Sequence, residues 1–181
     1  KDHDDVRFYL DCYNREVQGL DDVEIWIHTC CGNPNMQRVI ENDSYAASLE
    51  MYMNEARGDV WTIETKDREM REVELLAPYM QRAGKKVCVG VVSHRRLQVE
   101  TPEEVAGTIR AAMKHIPPER LIISTDCGFG RQGCNREIAF FKTTSIAQGT
   151  NIVRRELGLA ESPVRAASPE LQTDLVPDKP M

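Results

Sequence analysis

Four side chains of this sequence are of the kinds that hold a zinc ion, and all four fall where short apolar segments end. His28 and Cys30 stand two apart in VEIWIHTC, Glu64 closes DVWTIE, and Cys127 follows LIISTD. In an extended segment residues i and i+2 point to the same side, so His28 and Cys30 can face one ion while Thr29 faces away. Imidazole, thiolate and carboxylate are the donors that Zn²⁺ accepts in tetrahedral geometry. With two thiolates and a carboxylate the centre is a net anion, so a substrate thiol entering its shell binds as thiolate and stays electron-rich. A closed structural site would also have four protein ligands. Placement at the segment tips, and a Glu64 able to give way to an incoming sulfur, favour catalysis.

Other groups stand beside the same tips. Arg95, Arg96 and Arg131 could receive an anionic substrate group, a sulfonate or carboxylate, through the planar guanidinium fork. Of these, Arg95 and Arg131 are the expected substrate contacts, with Asp126 beside Cys127. His94 could give a proton to a leaving oxygen, and Arg95 could share that catalytic role. The remaining cysteines ask for less: Cys12 and Cys88 read as small core hydrophobes, Cys31 alternates to the side opposite Cys30, and Cys134 reads as an idle thiol. Gly128, Gly130 and Gly133 match no phosphate-binding pattern.

The elements that must position these groups alternate between short β-rich runs and helical stripes. Strands are expected at 23–29, 59–64, 86–93 (KVCVGVVS) and 121–126, each nearly continuous in apolar or β-branched residues, as suits burial on both faces. Between them Val6, Leu10, Tyr13 and Val17 recur at helical spacing, and Met70, Val73, Leu76 and Met80 do so before Gly84. Thr101-Pro102-Glu103-Glu104 is a capping box with proline at the first helical position, and a last helix is expected over 135–157, ending at Gly158. This alternation is the signature of parallel β/α architecture. Functional groups of such folds sit at the C-terminal ends of the strands, where the candidate ligands lie.

Eight strands close a β/α barrel, so four amount to half of one. The expected fold class is therefore α/β, a TIM-type (β/α) barrel to which this chain supplies about the last four units over residues 1–160. The first half would come from another chain, a second copy or a longer precursor. Residues 161–181, with Pro163, Pro169, Pro177 and Pro180 among polar residues, are expected to form an extended or disordered tail.

Composition excludes other classes. Lys and Arg number 23 against 29 Asp and Glu, a net charge of −6, which leaves no basic stripe for nucleic acid or an anionic membrane. The apolar runs are far shorter than the roughly 20 residues of a membrane helix, and KDHDDVRFYL has no signal-peptide core. A cytoplasmic location is expected, where cysteines beside His and Glu point to metal or catalysis rather than disulfides.

The blocks IHTCCGN, DVWTIE and ISTDCGFGRQG resemble, in order, the His-x-Cys, T-I-E and D-C-G blocks of the C-terminal catalytic domain of cobalamin-independent methionine synthase, over about residues 23–158. The resemblance implies a zinc-dependent methyl or alkyl transferase acting on a small-molecule thiol and an alkyl donor, with the family's zinc ligands on His28, Cys30, Glu64 and Cys127. One departure bears on the donor. Where the family has an Asp and, two residues on, a His that serves the folate, this sequence has Ser93, His94 and Arg95, so little activity with methyltetrahydrofolate is expected. The strings VVSHRRLQVETPEEV and DCGFGRQG are similar to the branch that contains epoxyalkane:coenzyme M transferases, which makes thiol addition to an epoxide the alternative. The T-I-E and D-C-G blocks speak against the uroporphyrinogen-decarboxylase-like methyltransferases, which also use a His-x-Cys pair. The competing class is a non-catalytic half-barrel stapled by structural zinc.

Overall fold

A computed structural model describes residues 3–30, 44–46, 49–130 and 133–171. Its elements run α1 (His3–Glu16), β1 (Trp26–Thr29), a helical turn at Met51–Glu55, β2 (Val60–Ile63), α2 (Val73–Ala83), β3 (Lys86–Gly90), α3 (Pro102–Met113), β4 (Leu121–Ser124) and α4 (Arg136–Glu156). The four strands form one sheet in the order β1-β2-β3-β4, and every neighbouring pair is parallel. Spatial order that follows chain order through helical crossovers is the arrangement of a β/α barrel, in which each unit lays its strand beside the last.

The register divides the sheet into two faces of different chemistry. Ile27 pairs with Trp61 and Trp61 with Val87, while Ile63 pairs with Val89. These residues are buried in the main apolar cluster together with Val105, Ile109, Ala112 and Ile116 from α3 and the turn after it. On the other face His28 pairs with Thr62, Thr62 with Cys88 and Cys88 with Ile122. That row is mixed in polarity, with His28 exposed and Thr62 and Ile122 half-buried. Successive side chains of a strand point to opposite faces, so the helices cover one face and the chemistry-bearing residues line the other.

Trp61 fixes β1 against β2. Its ring is fully buried, stacks on Tyr52 at 5.8 Å and meets Tyr45 edge-on at 5.8 Å. Its indole Nε1 donates to Thr29 Oγ1 at 2.9 Å. Thr29 is thereby held on the helix-covered face, and its neighbours His28 and Cys30 turn the other way.

Several elements begin or end elsewhere than the sequence pattern suggests. The ladder ends at Gly90 and Ser124, short of the expected ends at Ser93 and Asp126, because both strands bend there into the rim loops; Val91 N–H still donates to Ser124 O at 2.9 Å. Helix α2 begins at Val73 and not at Met70, because Glu69, Met70 and Glu72 hold left-handed backbone (φ 55°, 58° and 69°) that no right-handed helix can include. The capping box of α3 forms in full: Thr101 Oγ1 accepts from Glu104 N, and the Glu104 carboxylate accepts from Thr101 N. Asn135 caps α4, and Gly158 ends it with φ 69° as Leu159 N–H reaches back to Arg154 O at 2.8 Å.

The beginning of the expected tail runs back along α4. Asn151 holds Ser162 through both its N–H and C=O, and Gln148 Nε2 donates to Ser168 O at 2.7 Å. The rest of the tail lies outside the described residues. Among the described residues, no helix is long and apolar enough to cross a membrane.

Candidate metal centre

The sheet brings one donor atom each of His28, Cys30 and Cys127 within 4.8 Å of one another. His28 and Cys30 reach the place from the open face of β1, one residue inside and one residue beyond the strand end at Thr29. Cys127 arrives from the turn after β4, where Thr125 Oγ1 donates to Cys127 O at 2.8 Å and tightens the bend. Around a tetrahedral zinc, with bonds of about 2.0–2.3 Å, neighbouring donors lie roughly 3.5–4 Å apart. An imidazole and two thiols already this close fit that ion after small side-chain adjustments. His28 and Cys30 are exposed and Cys127 is half-buried on the face that this chain's own helices leave uncovered.

Glu64 stands one residue past the last β1–β2 pair, Thr29 with Ile63, and therefore at the level of Cys30. Its carboxylate belongs to a second, deeper group of potential donors with Asp67, His94 and Asp126. Glu64 is fully buried, and its Oε1 accepts from Arg95 Nη2 at 2.8 Å. Its backbone N–H donates to Tyr45 Oη at 3.3 Å, which links the strand end to the aromatic cluster behind it.

The rim loops are stitched together around this group. Asp126 is fully buried, with Oδ1 accepting from Thr65 N and Lys66 N and Oδ2 from Asp67 N, each at 2.7 Å. Burial pushes its carboxyl up to about 7 against the pull of those three donors, and the charge of Asp67 adds to the rise. Ser93 Oγ donates to Asp67 Oδ2 at 2.9 Å and accepts from the backbone N–H of Arg95 and Arg96. Ser93 N–H donates to Glu100 Oε1, whose other oxygen meets Lys142 Nζ at 2.7 Å. Lys142 is fully buried within α4 and also donates to Gln98 O. A chain of charge-assisted bonds thus runs from α4 through the loop after β3 to the loop after β2.

Gly90 makes the crossing of these loops possible. A Cβ there would lie 2.0 Å from Asp126 Oδ1 and 2.5 Å from its Cα, which only glycine avoids. Thr65 Oγ1 donates to Gly90 O at 2.7 Å and closes the same knot from the side of β2.

Residues 15–147 match the family described as cobalamin-independent synthase, catalytic domain. The chain belongs to that family. Over 154 residues it is 32% identical to methionine synthase of Thermococcus kodakarensis and 32% identical to that of Saccharolobus solfataricus, covering 85% of this chain in both cases. It spans about two-fifths of the length of these relatives, 40% and 41%. Among solved structures, a B12-independent methionine synthase from Shewanella sp. W3-18-1, in complex with selenomethionine, superposes with a TM-score of 0.68 at 25% identity. The superposition covers 85% of this chain and 45% of that one. The four-stranded parallel sheet is a part of that family's TIM-type barrel, so its mixed face is the one that looks into the barrel.

Within this family member the residues singled out from the sequence fall into distinct places. His28, Cys30 and Cys127 share one site, whereas Glu64 falls in a separate group with Asp67, His94 and Asp126. His94 has its side chain fully buried with Nδ1 3.5 Å from Asp67 Oδ2, so the expected proton donor faces a carboxylate. Arg95, expected to meet a substrate anion, holds Glu64, with its Nε 3.9 Å from Asp67 Oδ2. Asp126, expected as a substrate contact, has no exposed surface and clamps the loop after β2 through three backbone amides. Arg131 and Cys31 lie outside the described residues. Cys88 is buried, and burial pushes its thiol up to about 11, far from thiolate chemistry.

Asp67, Glu100 and Lys142 escaped the sequence reading. Lys142 carried a usable signal: it lies three and seven residues before Ser145 and Gly149 and so shares their inward face of α4. A lysine on a buried stripe requires a carboxylate, and Glu100 is the one it meets.

Proposed function

We propose that this chain carries the zinc-binding part of a transferase that activates a small thiol for methyl or alkyl transfer. The observation that supports it is the convergence of an imidazole and two thiols on the barrel-facing side of the sheet, with the buried carboxylate of Glu64 at the level of Cys30 on the neighbouring strand. Two relatives named methionine synthase make homocysteine the first acceptor to try. Zinc, when bound, supplies the positive charge that lowers the pKa of the acceptor thiol. His28, Cys30 and Cys127 would hold the ion, and Glu64 would be the exchangeable fourth ligand.

The donor is proposed to be other than methyltetrahydrofolate. Arg95 occupies the position at which the family resemblance expects the folate-serving histidine, and its guanidinium is engaged with Glu64 and Asp67. The further β/α units needed for a closed barrel come from outside residues 1–160, and residues 162–171 run back along α4. A reducing cytoplasm would keep Cys30 and Cys127 as thiols.

Metal analysis together with zinc-edge X-ray absorption tests the reading. One zinc per chain is expected, and L-homocysteine or 2-mercaptoethanesulfonate should add a third sulfur to the two from cysteine. Since a free thiol has a pKa near about 8.5, its uptake should also release about one proton per site at neutral pH. Cys30→Ser and Cys127→Ser should lose most zinc, each replacing a thiolate by a neutral hydroxyl, whereas Cys88→Ser should keep it. Zinc coordination that no thiol changes would point to a structural ion; equal zinc loss in all three variants would remove the ligand assignment.

A further inference from the structure

We propose that Arg95 is a positioning residue for Glu64: it receives the carboxylate that leaves the metal when a substrate sulfur enters, and so keeps the fourth coordination position exchangeable. The inference rests on the reading of His28, Cys30, Cys127 and Glu64 as the metal-binding set. Its own observation is that Glu64, fully buried at the level of Cys30, has Oε1 on Arg95 Nη2 at 2.8 Å.

A buried carboxylate that lets go of a cation must find another, because an unpaired buried charge is strongly destabilising. Arg95 is that second cation, and its aim is fixed from several sides. Its backbone N–H donates to Ser93 Oγ at 3.0 Å, and Ser93 Oγ in turn donates to Asp67 Oδ2 at 2.9 Å. Asp67 Oδ2 also lies 3.9 Å from Arg95 Nε. Glu100 takes the Ser93 N–H and is itself held by the fully buried Lys142. Arginine suits this task, because its fork stays charged and can hold one carboxylate through Nη2 while Nε faces another.

The exchange balances without an added reactant. The carboxylate leaves the ion with its electron pair and its charge, the sulfur takes the vacated position, and the thiol proton goes to solvent. Two consequences of opposite sign follow. Arg95 competes with the ion for Glu64, so it weakens zinc binding by the thiol-free site; it also stabilises the displaced carboxylate, so it favours thiol entry.

The test uses the full chain, its Arg95→Met variant and its Arg95→Lys variant. Zinc affinity is measured by chelator competition, and the concentration of L-homocysteine, and in parallel of 2-mercaptoethanesulfonate, that half-converts the zinc-edge spectrum is measured for each. Arg95→Met should bind zinc at least as tightly as the parent and require about tenfold more thiol, the scale of one lost charge-assisted hydrogen bond. Arg95→Lys, which retains the charge without the fork, should lie between. Half-conversion of Arg95→Met at the parent's thiol concentration overturns the inference. Parallel loss of zinc and thiol affinity also overturns it, since that is what a merely structural loop residue would cause. A parent that binds zinc but takes up neither thiol fails earlier, at the function proposed above, and the inference falls with it.

Discussion

The packing of α3 on α4 and the rim around Asp126 are both dense, but they are built on opposite principles. Between the helices, small residues allow close approach: a Cβ on Gly149 would lie 2.6 Å from Pro102 O and 2.6 Å from Val105 Cγ1. Apolar contacts do the rest, with Val105, Ala106, Ile109 and Ala112 of α3 buried. At the rim the contacts are ionic or to backbone, and Asp126, Glu64, Ser93, His94 and Glu100 are buried together with Lys142. Apolar packing tolerates volume-conserving exchange, whereas a buried polar network gives its stability only when every member is matched. The rim also contains the left-handed residues Glu69, Met70 and Glu72, a conformation costing about 1 kcal/mol or more each, which the Asp126 clamp on the same loop helps to hold.

The largest expected effect comes from putting the same methyl group into both regions. Gly90→Ala drives Cβ into the backbone and carboxylate of Asp126, neither of which can move without breaking the clamp. It should cost more than about 3 kcal/mol and abolish zinc binding together with the fold of the rim. Gly149→Ala meets a carbonyl and a valine side chain and gains alanine's helix preference of about 1 kcal/mol, so its net cost should be about 1–2 kcal/mol with zinc stoichiometry unchanged. Denaturant titration with zinc analysis separates them, and equal losses would show that the two regions are one cooperative unit.

A smaller effect probes the clamp by chemistry alone. Asp126→Asn keeps the shape but supplies one acceptor oxygen for three amide donors, so the best orientation turns its NH₂ toward the Asp67 N–H. A loss of about 1–3 kcal/mol is expected from the unmatched buried donor. A direct substrate contact would instead leave the melting temperature unchanged and raise only KM, which is the outcome that would restore the role expected from the sequence.

The same contrast explains what could be read from the sequence. Helix α4 could be, because its cap at Asn135 and its stop at Gly158 are local signals within the element itself. The meeting of His28, Cys30 and Cys127 could be, because strand alternation and tip position are also local rules. Partners at the rim could not. Asp126 finds Thr65, Lys66 and Asp67 some sixty positions away, and Arg95 finds Glu64 thirty-one positions away. Arginine beside a strand tip has the same local appearance whether it faces a substrate anion or a buried glutamate; the difference lies in a second loop. The start of α2 differs from the sequence pattern for a related reason: the stripe from Met70 is helical in spacing, but the left-handed backbone of Glu69, Met70 and Glu72 keeps the residues before Val73 out of the helix.

The smallest expected effect sharpens the comparison from the scaffold side. Thr101→Ala removes the hydroxyl that accepts Glu104 N–H, and with it half of the reciprocal cap at the start of α3. The cost should be about 1 kcal/mol, because the orphaned amide lies near the surface and water replaces part of the lost bond. Thr101 follows Glu100 directly, and Glu100 joins Ser93 to Lys142, so the cap borders the network that aims Arg95. If the regions are energetically separate, Thr101→Ala lowers the melting temperature slightly and leaves zinc affinity and thiol uptake at parental values. A variant of such modest thermal cost that nonetheless shifts thiol uptake would show that the end of α3 sets the geometry of the rim.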